Sequence, residues 1–360
     1  MSYGALIAAG LASQLAFASE DGSTDSAASC ATAVANSSEA TACALASELE
    51  RGFVYPAVGE RYAAMLRGNV ASGAYASLGG RELAERLTSD LQAVQSDGHL
   101  RVSVAEADAE HQPRAGSGER PSMVEQPGWI APGIAFVRFN GFPGDSAVTA
   151  EAAKFMEEHK EAEAIIFDIR TNGGGGIDQM DVIFPWLFDK PTRLVTMATR
   201  RSIDEEMGSM FGNPTLIESG STPQEVVREH WIAPNEHGEL RDARVYVLTG
   251  PRTGSAAEHF ALAMKHTGRA TLVGEATYGA NHFGGENLLP GGFTVFVPVG
   301  RTYDPVTGKD WEGDGVAPDV EVSVEQALEW VLRQEGIPAD EAKTLSDART
   351  PKRPLRKKAS

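Results

Sequence analysis

An α/β fold, with strands joined by crossover helices, is what this sequence predicts, and three observations carry the prediction. From Gly133 onward, short apolar runs alternate with amphipathic stretches. Two of those runs lead through small-residue loops into helical patterns, around residues 168–177 and 249–256. Ahead of this region, residues 50–104 read as a separate helical unit that turns extended at its end.

In order, Leu83, Leu87, Leu91 and Val94 recur at helical spacing, and the helix stops near Ser96-Asp97-Gly98-His99. Residues 100–104 then read as a strand, and 105–128, rich in Pro, Gly and charge, as a loop. Strands follow at 134–139, 164–169, 193–199, 244–248, 271–273 and 293–299, with helices at 147–160, 177–188, 255–266 and 323–335. Parallel strands with helical connections take right-handed crossovers.

The ends differ from the middle. Residues 5–18 form a modest apolar stretch closing on Ala16-Phe17-Ala18, like the h-region and cleavage site of a secretory signal, although no basic residue precedes Arg51. A simple N-terminal helix or loose arm fits residues 1–18 equally. Residues 19–49 are mostly Ala, Ser and Thr and read as a linker or loose helix. They carry both cysteines, Cys30 and Cys43, which would be bridged in an oxidising compartment and free otherwise. Residues 336–360 end in a basic run expected to be a solvated tail. The expected organisation is therefore 1–18, 19–49, a helical subdomain at 50–104, an α/β domain at 129–335, and the tail.

Composition narrows the function. Of 360 residues, 50 are acidic and 32 basic, a formal charge of −18. Such a surface lacks the basic footprint of a nucleic-acid binder and repels anionic membranes. No apolar run is long enough for a spanning helix. Two cysteines exclude a Cys-rich zinc module.

Three segments could carry chemistry. Asp168-Ile169-Arg170-Thr171-Asn172 runs into Gly173–Gly176, a strand opening into four glycines whose backbone N–H groups are free to face an anion. It is neither a Walker loop nor a dinucleotide fingerprint. Gly254-Ser255-Ala256-Ala257-Glu258 sits where a strand meets a helix. Ser255 with Glu258 is a capping box, and the same position also suits a nucleophile beside a helix N-terminus. The loop from Trp311 to Asp319 carries Glu312, a solvated acid or the partner of a histidine. A serine nucleophile needs a base, and His99, His259 and His282 remain unranked by spacing. His111, His159, His230, His237 and His266 fall in polar stretches and receive no role.

Taken together and in this order, Ser96-Asp97-Gly98-His99-Leu100, Asp168–Gly175, Gly254–Glu258, Gly274-Glu275-Ala276-Thr277-Tyr278-Gly279 and Trp311–Asp319 resemble the tail-specific (C-terminal processing) serine peptidase family. The nearest branch holds the interphotoreceptor retinoid-binding protein modules, and the tricorn core peptidase is a more distant relative. The resemblance spans roughly residues 50–332. It implies a ClpP/crotonase-like domain of mixed sheet with crossover helices behind a small helical subdomain. It implies Ser255 as nucleophile and an oxyanion hole from the amides of Ala256 and Gly174. The lysine of the family's Ser/Lys members has no counterpart in Ala280-Asn281-His282. The tricorn-like branch uses histidine and glutamate, and His99 and Glu312 stand at those positions. Residues between His99 and Gly133 are too few for a PDZ domain. The expected activity is cleavage of peptides or unfolded proteins, without metal or organic cofactor, in a periplasmic or secreted setting if the leader is real and in the cytoplasm otherwise. A non-catalytic binder of apolar, retinoid-like or lipid-like ligands is the alternative on the same fold, and acyl transfer on a thioester a third reading.

Overall fold

The computed structural model describes residues 29–105, 122–207 and 212–356. The possible leader at 1–18 lies outside the described residues. Three helices open the described chain: α1 (Ser38–Gly52), α2 (Pro56–Ala71) and α3 (Gly80–Val94). Helix α1 lies inside the stretch expected to be a linker. Its alanines favour helix and permit close approach, and Ala42, Leu45, Ala46 and Leu49 are fully buried. The Cys30–Cys43 disulfide ties the preceding residues to it.

Two six-stranded sheets follow. One is built from β2 (Val124–Ala131), β3 (Ile134–Phe139), β4 (Ala164–Asp168), β8 (Arg244–Thr249), β9 (Thr271–Gly274) and β12 (Val320–Glu321). Its order is β12-β9-β8-β4-β3-β2, all parallel except the β2–β3 pair. The other is antiparallel, β1-β11-β5-β7-β6 with β10 also on β11. It comprises β1 (Arg101–Val104), β5 (Thr192–Arg200), β6 (Leu216–Glu218), β7 (Glu225–Ile232), β10 (Phe283–Leu289) and β11 (Phe293–Tyr303). The mixed α/β class predicted from sequence is therefore what the chain adopts.

Alternation along the parallel strands sends neighbours to opposite faces. Val137, Phe167 and Val247 join a core shared with Met197 and with Phe260 of helix α7 (Ala256–His266). Phe136, Ile166 and Leu248 face Leu328 and Leu332 of α8 (Ala327–Gln334). A third core joins α1–α3 to Val295, Val297 and Val299 of β11, so the helical layer rests on the antiparallel sheet.

The basic C-terminal run is not a free tail over its described part. Helix α9 (Ala339–Asp347) packs on α8, and the chain then folds back. Arg353 donates to Asn140 O at 2.7 Å, and Arg356 pairs with Glu275 and Glu325. Charge alone suggested solvation, but two acids and a carbonyl remote in sequence give these arginines partners.

Candidate active site

Strand β8 ends at Thr249, and the loop that follows is pinned from below. Thr253 Oγ1 donates to Ile169 O at 2.9 Å, and Gly254 N–H donates to Asn172 O at 3.0 Å. Both acceptors lie just past β4, so the two small-residue loops singled out in the sequence touch. Ser255 then takes φ 54° and ψ −122°, a backbone conformation that costs an L-residue about 1–3 kcal/mol, and α7 begins at the next residue. A strained serine between a strand and a helix is the geometry of a nucleophile turn, which projects the hydroxyl clear of the chain.

The capping box exists as well, and it is part of the site rather than a competing explanation. The Glu258 carboxylate accepts from Ser255 N–H at 2.8 Å. It also accepts from Thr277 Oγ1 at 2.5 Å, Gly279 N–H at 2.7 Å and Ala280 N–H at 2.9 Å. One buried acid thus fixes the serine backbone to the 277–280 loop. Burial pushes its carboxyl above the ordinary range, against the opposing pull of these donors.

Gly174 lies against the serine, with φ +102°. A Cβ there would come within 2.7 Å of Ser255 Cβ and 2.8 Å of Gly254 O. Gly174→Ala should therefore displace Ser255. We expect at least a hundredfold fall in kcat/KM, since about 1 Å of misplacement costs that much, with little loss of folded protein by circular dichroism.

The oxyanion donors expected from sequence fare differently. Ala256 N–H stands at the helix start with no acceptor among the described residues. The Gly174 N–H is already committed to Asn172 Oδ1 at 2.8 Å. Its neighbour Gly175 N–H has no acceptor among the described residues, and Gly175 lines the same cavity as Ser255 and Ala256.

His99 and Glu312 reach this region through backbone contacts. Asp97 Oδ1 accepts from His99 N–H at 2.9 Å and Leu100 N–H at 3.0 Å, which shapes the turn after α3. Glu312 accepts from Gly98 N–H and from Asn281 N–H, each at 2.7 Å, and so clamps that turn to the loop beyond Gly279 and Ala280. The His99 ring stacks on Phe296 with centroids 5.1 Å apart, and its Nδ1 is buried without a partner among the described residues. Burial lowers its pKa below 6.5, opposed by Asp97. Among the described residues no hydrogen bond joins His99 to Ser255 or to the Glu312 side chain; the Glu312 carboxylate lies beside His282 instead, at 3.7 Å.

His282 and His259 separate clearly. Asn281 and Phe283 line the serine cavity, but His282 between them lies against Tyr55, with ring centroids 5.4 Å apart. Its Nδ1 meets Asp97 Oδ2 at 2.6 Å. Burial lowers its pKa, but Asp97 and the nearby acids outweigh this and raise it. Potential ligand atoms of Asp97, His282 and Glu312 lie within 4.8 Å of one another, a grouping able to hold a cation. The carboxylate oxygens already accept backbone N–H groups or His282, which fits a structural knot better than a metal site.

His259, by contrast, lines a cavity of about 310 Å³ together with Ser255, Ala256, Met197, Phe283 and Trp311. His230, read from sequence as lying in a surface-like stretch, is fully buried behind it, and Asp181 was not singled out at all. The available signal was strand alternation, which turns Val226, Arg228, His230 and Ile232 inward on β7.

Comparison with known proteins identifies the family. A model described as the N-terminal domain of Peptidase_S41 in eukaryotic IRBP matches residues 27–129. The chain is 28% identical over 187 residues to the chloroplastic carboxyl-terminal-processing peptidase 3 of Arabidopsis thaliana, covering 52% of this chain and 31% of that one. It is 30% identical over 200 residues to the chloroplastic C-terminal processing peptidase of Tetradesmus obliquus, covering 55% of this chain and 37% of that one. The chain thus spans about a third of the length of these curated relatives. Among solved structures, one from Parabacteroides merdae, assigned provisionally as a peptidase, shares the fold with TM-score 0.56 and 18% identity, covering 86% of this chain and 96% of that one. With a model described as peptidase family S41 matching residues 133–322, more than half of its length, the chain belongs to peptidase family S41.

Proposed function

We propose that this chain is a serine endopeptidase that cleaves peptides or unfolded proteins, with Ser255 as nucleophile. The observation that carries the proposal is the strained backbone of Ser255, held between β8 and α7 over Gly174 and open to a cavity. Ser255 Oγ attacks the scissile carbonyl while His99 takes its proton. The tetrahedral oxyanion forms against the N–H groups of Ala256 and Gly175, the latter replacing Gly174, whose N–H is held by Asn172. Collapse breaks the C–N bond, and His99 returns the proton to the leaving amine. Water, deprotonated by His99, then hydrolyses the acyl-enzyme and regenerates Ser255. Glu312 and Asp97 act as positioning residues that hold the His99 turn. No metal or organic cofactor enters these steps.

A base must be neutral to accept a proton, so kcat/KM should fall as pH drops through the His99 pKa. Because that pKa is lowered, the acid limb should have its midpoint below 6.5. A pH profile checks this, and His99→Ala should remove the limb together with most of the activity. Retained activity in that variant would shift the base to His259.

The test of the whole reading is incubation with an unstructured protein, with and without a serine-directed fluorophosphonate. Cleavage, its loss on treatment, and an adduct mapped to Ser255 are expected. No cleavage and no adduct would favour the second reading, a binder of apolar ligands, which rests on the Met197, Phe283 and Trp311 walls of the cavity. The Cys30–Cys43 disulfide supports placement in a periplasmic or secreted compartment, since cytosolic disulfides are rare.

A further inference from the structure

The serine cavity ends on a line of three polar side chains from three elements. His259 follows Ser255 by one turn of α7, and helical side chains lean toward the helix N-terminus, so its ring lies over the turn carrying the serine. His259 Nε2 meets His230 Nδ1 of β7 at 2.9 Å, and His230 Nε2 meets Asp181 Oδ1 at 3.0 Å. Asp181, on the short helix α5 (Asp178–Ile183 in sequence, between β4 and β5), is held in turn. Asn213 Nδ2 donates to it at 2.6 Å and Thr215 Oγ1 at 3.0 Å.

The direction of each bond follows from the far end. A carboxylate only accepts, so His230 carries its proton on Nε2. With a single N–H on His230, its Nδ1 accepts and His259 Nε2 donates. His259 Nδ1 is left with a lone pair, and no donor among the described residues reaches it. Burial and the adjacent His230 hold the His259 pKa well below 6.5, so the ring stays neutral.

Other polar atoms of the cavity walls complete the pattern. Asn281 Oδ1 and Trp311 Nε1 are buried without hydrogen-bond partners among the described residues, and both residues line the cavity. Apolar walls with unpaired acceptors and one unpaired donor match a side chain that is apolar along its stem and hydroxylated at its tip.

Building on the peptidase reading above, we propose that this cavity receives the substrate side chain on the acyl side of the scissile bond, and that His259 selects a hydroxyl-tipped residue, tyrosine over phenylalanine. Asp181 and His230 act through His259 as positioning residues that set its tautomer. A site with buried acceptors rejects an analogue lacking the donor far more strongly than a purely apolar pocket discriminates by size.

Matched peptides differing only in tyrosine or phenylalanine at that residue test the proposal. Wild type should favour tyrosine at least tenfold in kcat/KM, and in His259→Leu the ratio should collapse toward one. A second measurement does not depend on catalysis or on that variant folding. Ser255→Ala protein titrated with p-cresol and with toluene should bind p-cresol at least threefold more tightly, and ¹⁵N spectra should show His259 protonated on Nε2. A wild-type ratio near one, an unchanged ratio in a folded His259→Leu variant, failure to prefer p-cresol, or His259 protonated on Nδ1 would each overturn the proposal. Absence of any peptide cleavage would instead sink the peptidase reading, leaving the cresol and toluene titration to decide this one.

Discussion

Ser255→Ala and Ser255→Gly should both lose cleavage, and only the glycine variant should gain stability. Removing the nucleophile of a serine peptidase costs on the order of 10⁶ in kcat, leaving what binding and the oxyanion hole supply. Alanine keeps a Cβ and with it the strain of φ 54°. Glycine adopts that conformation without penalty, which should return about 1 kcal/mol, offset in part by the greater freedom of its unfolded chain. Activity assays and urea melts of the three proteins check this. A glycine variant no more stable than the alanine variant would mean that the strain is absent. A serine used merely as a helix cap predicts instead that both variants are less stable than wild type, alanine by about 1 kcal/mol and glycine by only a few tenths.

The largest expected stability effect falls on a residue beside the site. Asp168, at the end of β4, lies fully buried between Arg138 Nε at 2.8 Å and Arg170 Nη2 at 2.7 Å. Burial would raise its carboxyl, but Arg170 and Arg138 outweigh this and hold it at about 2. Asp168→Asn leaves two buried guanidinium groups without their shared counter-ion, a loss of roughly 3–5 kcal/mol. Arg170 also donates to Val324 O at 2.7 Å, so the glycine loop should loosen with it. The folded pKa lies below the unfolded value of about 3.9, so this contribution is present above pH 4 and disappears as pH falls toward 2. Urea melts across that range should show the steepest acid sensitivity in wild type and a flatter profile in Asp168→Asn.

Much of this was legible in the sequence where the physics is local. Strands 134–139 and 164–168 are buried on both faces and 244–249 is buried over residues 247–249, so they appear as largely apolar runs. The turn at Ser255 and its glutamate partner are neighbours in sequence. The antiparallel strand β7 escaped because its inward positions include Arg228 and His230, which lose their polar signature only when Asp204 and Asp181 meet them. Glu312 was visible as a candidate, but its grip on Gly98 spans too much sequence for any spacing rule. The arginines at the C-terminus read as a solvated run because their acceptors, Asn140 O, Glu275 and Glu325, lie elsewhere in the chain.

Strand β1 belongs to the helical layer by sequence and to the antiparallel sheet by hydrogen bonding, where it pairs with β11. Strand β2 crosses the other way, pairing with β3 at the rim of the parallel sheet. The two regions of this chain are therefore stitched rather than strung. Excising residues 29–105 would bare the edge of β11 and the apolar face of Val295, Val297 and Val299, an open template for self-association. Moving either region alone into another protein would expose the same surfaces, so the helical layer and the antiparallel sheet are separable only at the cost of an open edge.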